Sequence, residues 1–368
     1  MKQLRIALFS LVLLAAAAAC NPEPIEFNGE VAEAQVVMQS RIAAGDSIRL
    51  RLSYSRFFLD ASKFRLINNA SIHLSVNGSP VAASVSYNAD SGRYTLGYVP
   101  QPGDQLAITV NVPGHAPVTA STTIPPDPVI DGITVSQLNS AASNEDRTKY
   151  AVRFRLHDDG EAENYYHLQF SCSINYISLD YENSYITVDT LVSRDTTYNS
   201  DSSTAFILID TTFLYDTTLV YDTMPVDIPV YFGCRDYLIL DQDGLSLTLG
   251  EDDEYYEIYF TDANINGLAH DVQLSLSAEG FYREYEPYSP YGYLDYGHYD
   301  LSSLQLWMSL TSYSRDLYLY IVSTNQQASE LSSLISEPTQ IHTNIDGGIG
   351  IFAAGNTKTY LLPVTAAR

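Results

Sequence analysis

The stretch Ser47–Tyr54, SIRLRLSY, alternates without a break. Ile48, Leu50, Leu52 and Tyr54 fall on one side of an extended chain, and Arg49, Arg51 and Ser53 on the other. A period of two is the pattern of a half-buried strand, not of an amphipathic helix. The same pattern continues through residues 35–124. It predicts further strands at Gln35–Ile42, Ser71–Val76, Val81–Tyr87, Arg93–Val99, Gln105–Val112 and Val118–Ile124. AAGD, NGSP, NADSG, PQPGD and PGHAP separate them, all rich in residues that turn the chain. Short strands at this spacing predict an immunoglobulin-like β-sandwich over 35–124. The Cys…Trp…Cys core of antibody domains is missing, so the likeness is one of architecture. One longer connection, Ser55–Ala70, is a candidate functional loop.

Pro125, Pro126 and Pro128 cannot all sit in a central strand. Residues 125–131 therefore read as a Pro-rich linker, and 132–368 as a larger β-rich domain. There, Val152, Phe154 and Leu156 alternate with Arg153 and Arg155, and ENYYHLQFSCSI supplies a partner strand. In residues 180–232, Asp189, Asp195, Asp210, Asp216 and Asp222 are each followed by Thr. Several are six apart, which predicts long Thr-rich hairpin strands with a solvated Asp/Thr face. A calcium ladder is the lesser reading, because ligands on one flat face do not surround an ion. A helix is expected near 314–336, where Leu317, Ile321, Thr324, Ala328, Leu331 and Ile335 recur at three and four, with Pro338 as the stop. NIDGGIGIF and KTYLLPV are expected to close the chain as two short strands around AAGN.

The chain opens MKQLRIALFSLVLLAAAAAC. Lys2 and Arg5 precede Ile6–Ala19, which is apolar but for Ser10 and too short to span a bilayer. Small residues then lead into Cys20, as in a bacterial lipoprotein signal. The expectation is a signal peptide over 1–19, lipidation at Cys20, and a lipidated tether over 20–34. An ordinary signal peptide ending near a cysteine is the lesser reading. Acyl chains would hold the protein on the membrane, since each buried CH₂ contributes about 0.8 kcal/mol.

Charge narrows the partners. With 44 acidic and 19 basic residues the formal net charge is −25, and loss of the signal removes two of the bases. Such a surface repels nucleic acid and anionic headgroups. Cys172 and Cys234 remain after lipidation. Outside the inner membrane they can form a disulfide, or stay as two buried thiols.

No G-x-S-x-G, H-E-x-x-H, P-loop or dinucleotide fingerprint is present, and the histidines show no metal-ligand spacing. No catalytic residue, metal or cofactor is assigned. FYREYEPYSPYGYLDYGHYD (Phe281–Asp300) concentrates Tyr282, Tyr285, Tyr288, Tyr291, Tyr293, Tyr296 and Tyr299. Their spacing, with Pro287, Pro290 and Gly292 among them, fits a loop. Tyrosine gives large contact area with few torsions to freeze, so this is the candidate binding loop. Packing on its own domain, contact with another protein and stacking on sugar all stay open.

The ordered landmarks GDSIRLRLSYSRFF, NNASIHLSVNG, SGRYTLGYVPQPGDQLAITVNVPGH, TASTTIPP, ENYYHLQF, YFTDANINGLAHDVQLSL and PTQIHTNIDGGIGIFAA follow the lipoprotein signal. This order resembles a family of Bacteroidota outer-membrane lipoproteins catalogued as a domain of unknown function, family 4249. Residues 180–232 match it least, and Asn344–Phe352 is its most specific element. Gly348 and Gly350 match that element, with Gly347 beside them. A tight turn into a strand with close backbone approach is the expected reason. The resemblance implies a β-rich lipoprotein with an immunoglobulin-like first domain, often encoded beside a TonB-dependent outer-membrane transporter. It implies no activity. The expected function is that of a non-enzymatic outer-membrane lipoprotein serving such a transporter or binding a ligand for it, with the periplasmic and cell-surface faces both open and the surface favoured. A structural subunit of an envelope assembly is the alternative, and an enzyme acting on glycan or peptide the weakest.

Overall fold

The computed structural model describes residues 33–56, 63–138, 149–198, 205–234, 236, 238–239, 248–249, 254–255, 257–278, 297–330 and 340–364. The fold is mainly β, with one helix among these residues. The first eight strands are β1 (Val36–Ala43), β2 (Ile48–Tyr54), β3 (Ser71–Val76), β4 (Ser79–Val81), β5 (Val85–Asn88), β6 (Arg93–Leu96), β7 (Gln105–Asn111) and β8 (Val118–Thr123). In β2 the alternation is realised: Ile48, Leu50 and Leu52 are buried, and Arg49 and Arg51 exposed. Two sheets, one containing β1–β2–β6–β5 and one containing β8–β7–β3–β4, face each other across a shared apolar core.

Val81–Tyr87, expected as one strand, is two. β4 pairs with β3 in one sheet, and β5 pairs with β6 in the other. The chain switches layers in between, as strands do at the corner of a sandwich.

The second half contains β9 (Val129–Leu138), β10 (Lys149–His157), β11 (Tyr165–Tyr198), β12 (Ala205–Ile228), β13 (Val230–Cys234), β14 (Thr248–Leu249), β15 (Glu254–Tyr255), β16 (Glu257–Thr261), β17 (Ala269–Ala278) and β18 (Gly297–Tyr313). Helix α1 (Arg315–Glu330), β19 (Ile345–Asp346) and β20 (Ile349–Leu362) follow. Val152, Phe154 and Leu156 point inward as expected, against Leu168, Phe170, Leu306 and Met308.

The two halves share one nine-stranded sheet, ordered β12-β11-β18-β20-β1-β2-β6-β5 with β16 also on β11. Its central member is β20. One edge pairs in parallel with β1, from Val37–Ile349 to Ala43–Gly355. The other pairs antiparallel with β18, from Tyr313–Gly355 to Leu306–Leu362. Phe352 and Ala354 fill the first core, and β19 extends the β8 sheet. Residues 35–124 are therefore not the whole of the first layered unit; the far end of the chain completes it. AAGN does not interrupt β20, which runs through it as a single strand. Apolar neighbours on both faces bury Ala353 and Ala354 there, so the small residues mark tight packing, not a turn.

The linker is tied down. Asn356 Nδ2 donates to the Pro125 carbonyl (3.1 Å) and to Asp127 Oδ1 (2.7 Å), and Lys358 pairs with Asp127 Oδ2 (2.7 Å). Helix α1 begins at Ser314, whose carbonyl accepts from Tyr318 N and whose Oγ accepts from Ala354 N (3.1 Å). Leu317 and Ile321 are buried as predicted, and Tyr318, which the apolar spacing overlooked, is buried more deeply still. Leu331 and Ile335 lie outside the described residues.

β11 and β12 form the long hairpin read from the Asp-Thr repeats, in register from Cys172–Ile228 to Tyr198–Ala205, with an irregularity between Asp180 and Tyr185. Asp189 stands opposite Leu214 and Asp216 opposite Thr187. Asp222 and Thr223 are exposed, and the side chains of Asp189, Asp195, Asp210 and Asp216 lie outside those described.

Candidate functional site

Where the two halves meet, a cleft of about 870 Å³ opens, within the range of small-molecule sites. Several short segments converge on it. Gln105–Ala107 begin β7, Ser121–Thr123 end β8, Glu163 and Asn164 lead into β11 at Tyr165, Tyr313 ends β18, and Arg315 and Asp316 begin α1. Pro125 and Pro126, clamped by Asn356, form part of the rim.

Each titratable wall group is held by a protein partner. Asp316 binds His342 Nε2 (2.9 Å) and Asn344 Nδ2 (3.4 Å). Asn344 is itself a staple: its Oδ1 accepts from Phe352 N and its Nδ2 donates to the Phe352 and Ser121 carbonyls. The Tyr165 hydroxyl donates to Glu163 Oε2 (2.7 Å), and burial, then Glu163, push its pKa up to about 12.

Behind the wall lies a polar chain. The Tyr313 hydroxyl meets His167 Nδ1 at 3.0 Å, and His167 Nε2 meets Glu257 Oε2 at 2.9 Å. Burial raises Tyr313 to about 12, so the phenol keeps its proton in this chain. The His167 ring is held from both nitrogens, by the phenol at Nδ1 and by the Glu257 carboxylate at Nε2. The bond to the carboxylate is the main reason Glu257 sits below the usual carboxylate range. Tyr259 stacks on His167 at 4.4 Å between ring centroids. Tyr165, Tyr259, Leu317 and Tyr318 form a small core beneath α1 that supports the cleft floor.

One wall atom has no partner among the described residues: Thr122 Oγ1, which is buried. It stands on the inward face of β8 with Val118 and Ala120, and a buried hydroxyl without a hydrogen bond is costly to the fold.

The residues singled out from sequence lie elsewhere. Cys20 and Tyr282, Tyr285, Tyr288, Tyr291, Tyr293 and Tyr296 lie outside the described residues. Tyr299 is not in a loop: β18 begins before it and sets it opposite Tyr176. Cys172 and Cys234 form no disulfide; both are free and buried in the second core. They stand on strands of different sheets, and burial pushes their thiols up to about 12 and about 11, so both stay protonated and inert. Among the described residues no group of His, Cys, Asp or Glu is arranged to hold a metal, and no helix is long and apolar enough to cross a membrane.

His167, Glu257, Tyr313 and Thr122 were not read from sequence. His167 sits on the polar side of ENYYHLQF, and nothing local tells that α1 and β16 cover that side.

No curated protein matches the chain. A family model described as Domain of unknown function (DUF4249) matches residues 22–360. That match takes in both apolar cores, the clamped linker, the cleft and the Asn344–Phe352 element, and the chain belongs to this family.

Proposed function

We propose that the protein acts by binding and not by catalysis: a lipoprotein anchored at Cys20 to the outer membrane, whose cleft holds a ligand for a TonB-dependent transporter or docks part of that transporter. The observation that carries this reading is the state of the cleft walls. Glu163, Tyr165, Tyr313 and Asp316 are each committed to a protein partner, which suits a rigid recognition surface. Hydroxyls, amides and tyrosine edges with mixed charge favour a polar, largely uncharged ligand such as a saccharide or peptide.

The test is co-purification. The chain is tagged at its C-terminus, the outer membrane is solubilised in mild detergent, and associated proteins and small molecules are identified by mass spectrometry. A transporter or bound ligand recovered with the native chain, and lost on Thr123→Trp, which places an indole on an exposed residue of the cleft wall, is the expected result. Equal recovery with both chains would remove the cleft from the function.

A further inference from the structure

The outer face of β20–β1–β2–β6 carries a second recess, of about 440 Å³. Arg41 from β1, Arg49 and Arg51 from β2 and Arg93 from β6 line it, all four exposed. Tyr320 of α1 closes one side, and the Arg41 guanidinium lies 5.7 Å from its ring centroid.

This grouping is unfavourable by itself. The β1–β2 ladder runs to Gln39–Arg51 and the β2–β6 ladder to Leu50–Tyr94, and the four arginines gather on the exposed face around those ladder ends. Like charges gathered on one face repel each other. Within the recess only Asp46 offsets them, pairing with Arg49 at 3.1 Å. Arg51 and Arg93 have no ion pair among the described residues, in a chain whose acidic residues outnumber its basic ones by 44 to 19. Carboxylates were abundant, yet this face gathers guanidiniums.

We propose that this recess binds a phosphate-type oxyanion, carried by a soluble molecule or by a lipid headgroup. Arginine forks match tetrahedral and planar oxyanions with paired, charge-assisted hydrogen bonds. An oxyanion among these four guanidiniums would turn mutual repulsion into shared attraction. The recess is enclosed by Tyr320 and small enough to favour one compact group over an extended acidic chain. The site stands on the sheet face and does not depend on the cleft reading above.

Pyrophosphate titrated calorimetrically into the full-length protein at physiological salt tests it. The expected result is saturable binding that weakens at least about tenfold in Arg51→Gln/Arg93→Gln, as for the loss of one charge-assisted contact. Arg51→Lys/Arg93→Lys keeps the charge but not the fork, and is expected to fall between. Flotation of the Cys20→Ser chain, which carries no acyl anchor, with phosphatidylcholine vesicles with and without phosphatidylglycerol separates the sources. Loss of flotation in the Gln variant assigns the headgroup, and loss of pyrophosphate binding alone assigns a soluble ligand. Thermal melting of every variant checks the fold, with Arg93→Gln alone replacing the double variant if that fails to fold. Neither probe binding, or both binding folded variants as tightly as the native chain, would overturn the proposal.

Discussion

At the scale of single residues, two positions carry more of the fold than their size suggests. Gly350 has φ +117°, where a side chain is strained, and a Cβ there would lie 2.0 Å from the Met38 carbonyl oxygen. Backbone strain and a clash with the β1–β20 ladder add, so Gly350→Ala is expected to cost about 3 kcal/mol or more in denaturant unfolding. A loss within experimental error would show that β1 and β20 can separate at little cost. This glycine is legible in the sequence, because NIDGGIGIF matches the family element in which a close backbone approach is expected. Glu257 was not, because its partner His167 is distant in sequence. Its folded pKa is depressed below the ordinary 4.5, mainly by His167. Its contribution is thus present above that value and lost as pH falls through the lower, folded one. Glu257→Gln should flatten the acid limb of the stability-versus-pH curve below about pH 4.5 and leave the shape above it unchanged. An acid limb as steep as the native one would mean that other carboxylates govern acid unfolding.

At the scale of elements, alternation in the sequence located most strands but could not say which had neighbours on both edges. The β11–β12 hairpin shows the difference. Up to Ser178, β11 has β18 on its other edge; beyond that point it pairs with β12 alone among the described residues. A two-stranded ribbon is marginal in water, since each amide has one ladder and little cover. Amides of residues 185–198 are therefore expected to exchange with deuterium at least about tenfold faster than those of 166–172. Equal protection would indicate that something else covers the ribbon. The Asp-Thr repeats made the hairpin legible because a period of six keeps parity on a strand. They carried no sign of where the second neighbour ends, because that is decided by the start of β18 about a hundred residues on.

For the whole molecule, the linker misled for a physical reason. Three prolines do break the sheet, and two cores do form, one on each side. Yet the two halves are not independent, because β20 is the central strand of the shared sheet and its side chains clamp the linker through Asn356 and Lys358. Such long-range pairing leaves no local mark in sequence. It has a measurable consequence. A fragment of residues 20–127 lacks β20, so Val36, Met38 and Ile42 lose Phe352 and Ala354 from their core, and one whole edge of β1 is left unpaired. Large-to-small losses of this kind cost several kcal/mol each, against a total stability of about 5–15 kcal/mol. The fragment is expected to show no cooperative thermal transition by circular dichroism, whereas the full chain melts the two halves together. Adding a peptide of residues 344–358 in trans should restore part of the transition, because it returns both the ladder and the core residues. A fragment that melts cooperatively alone would show that the first sandwich folds as its own domain and borrows β20 only afterwards. The cleft would then lie between parts free to move, and not within a single rigid frame.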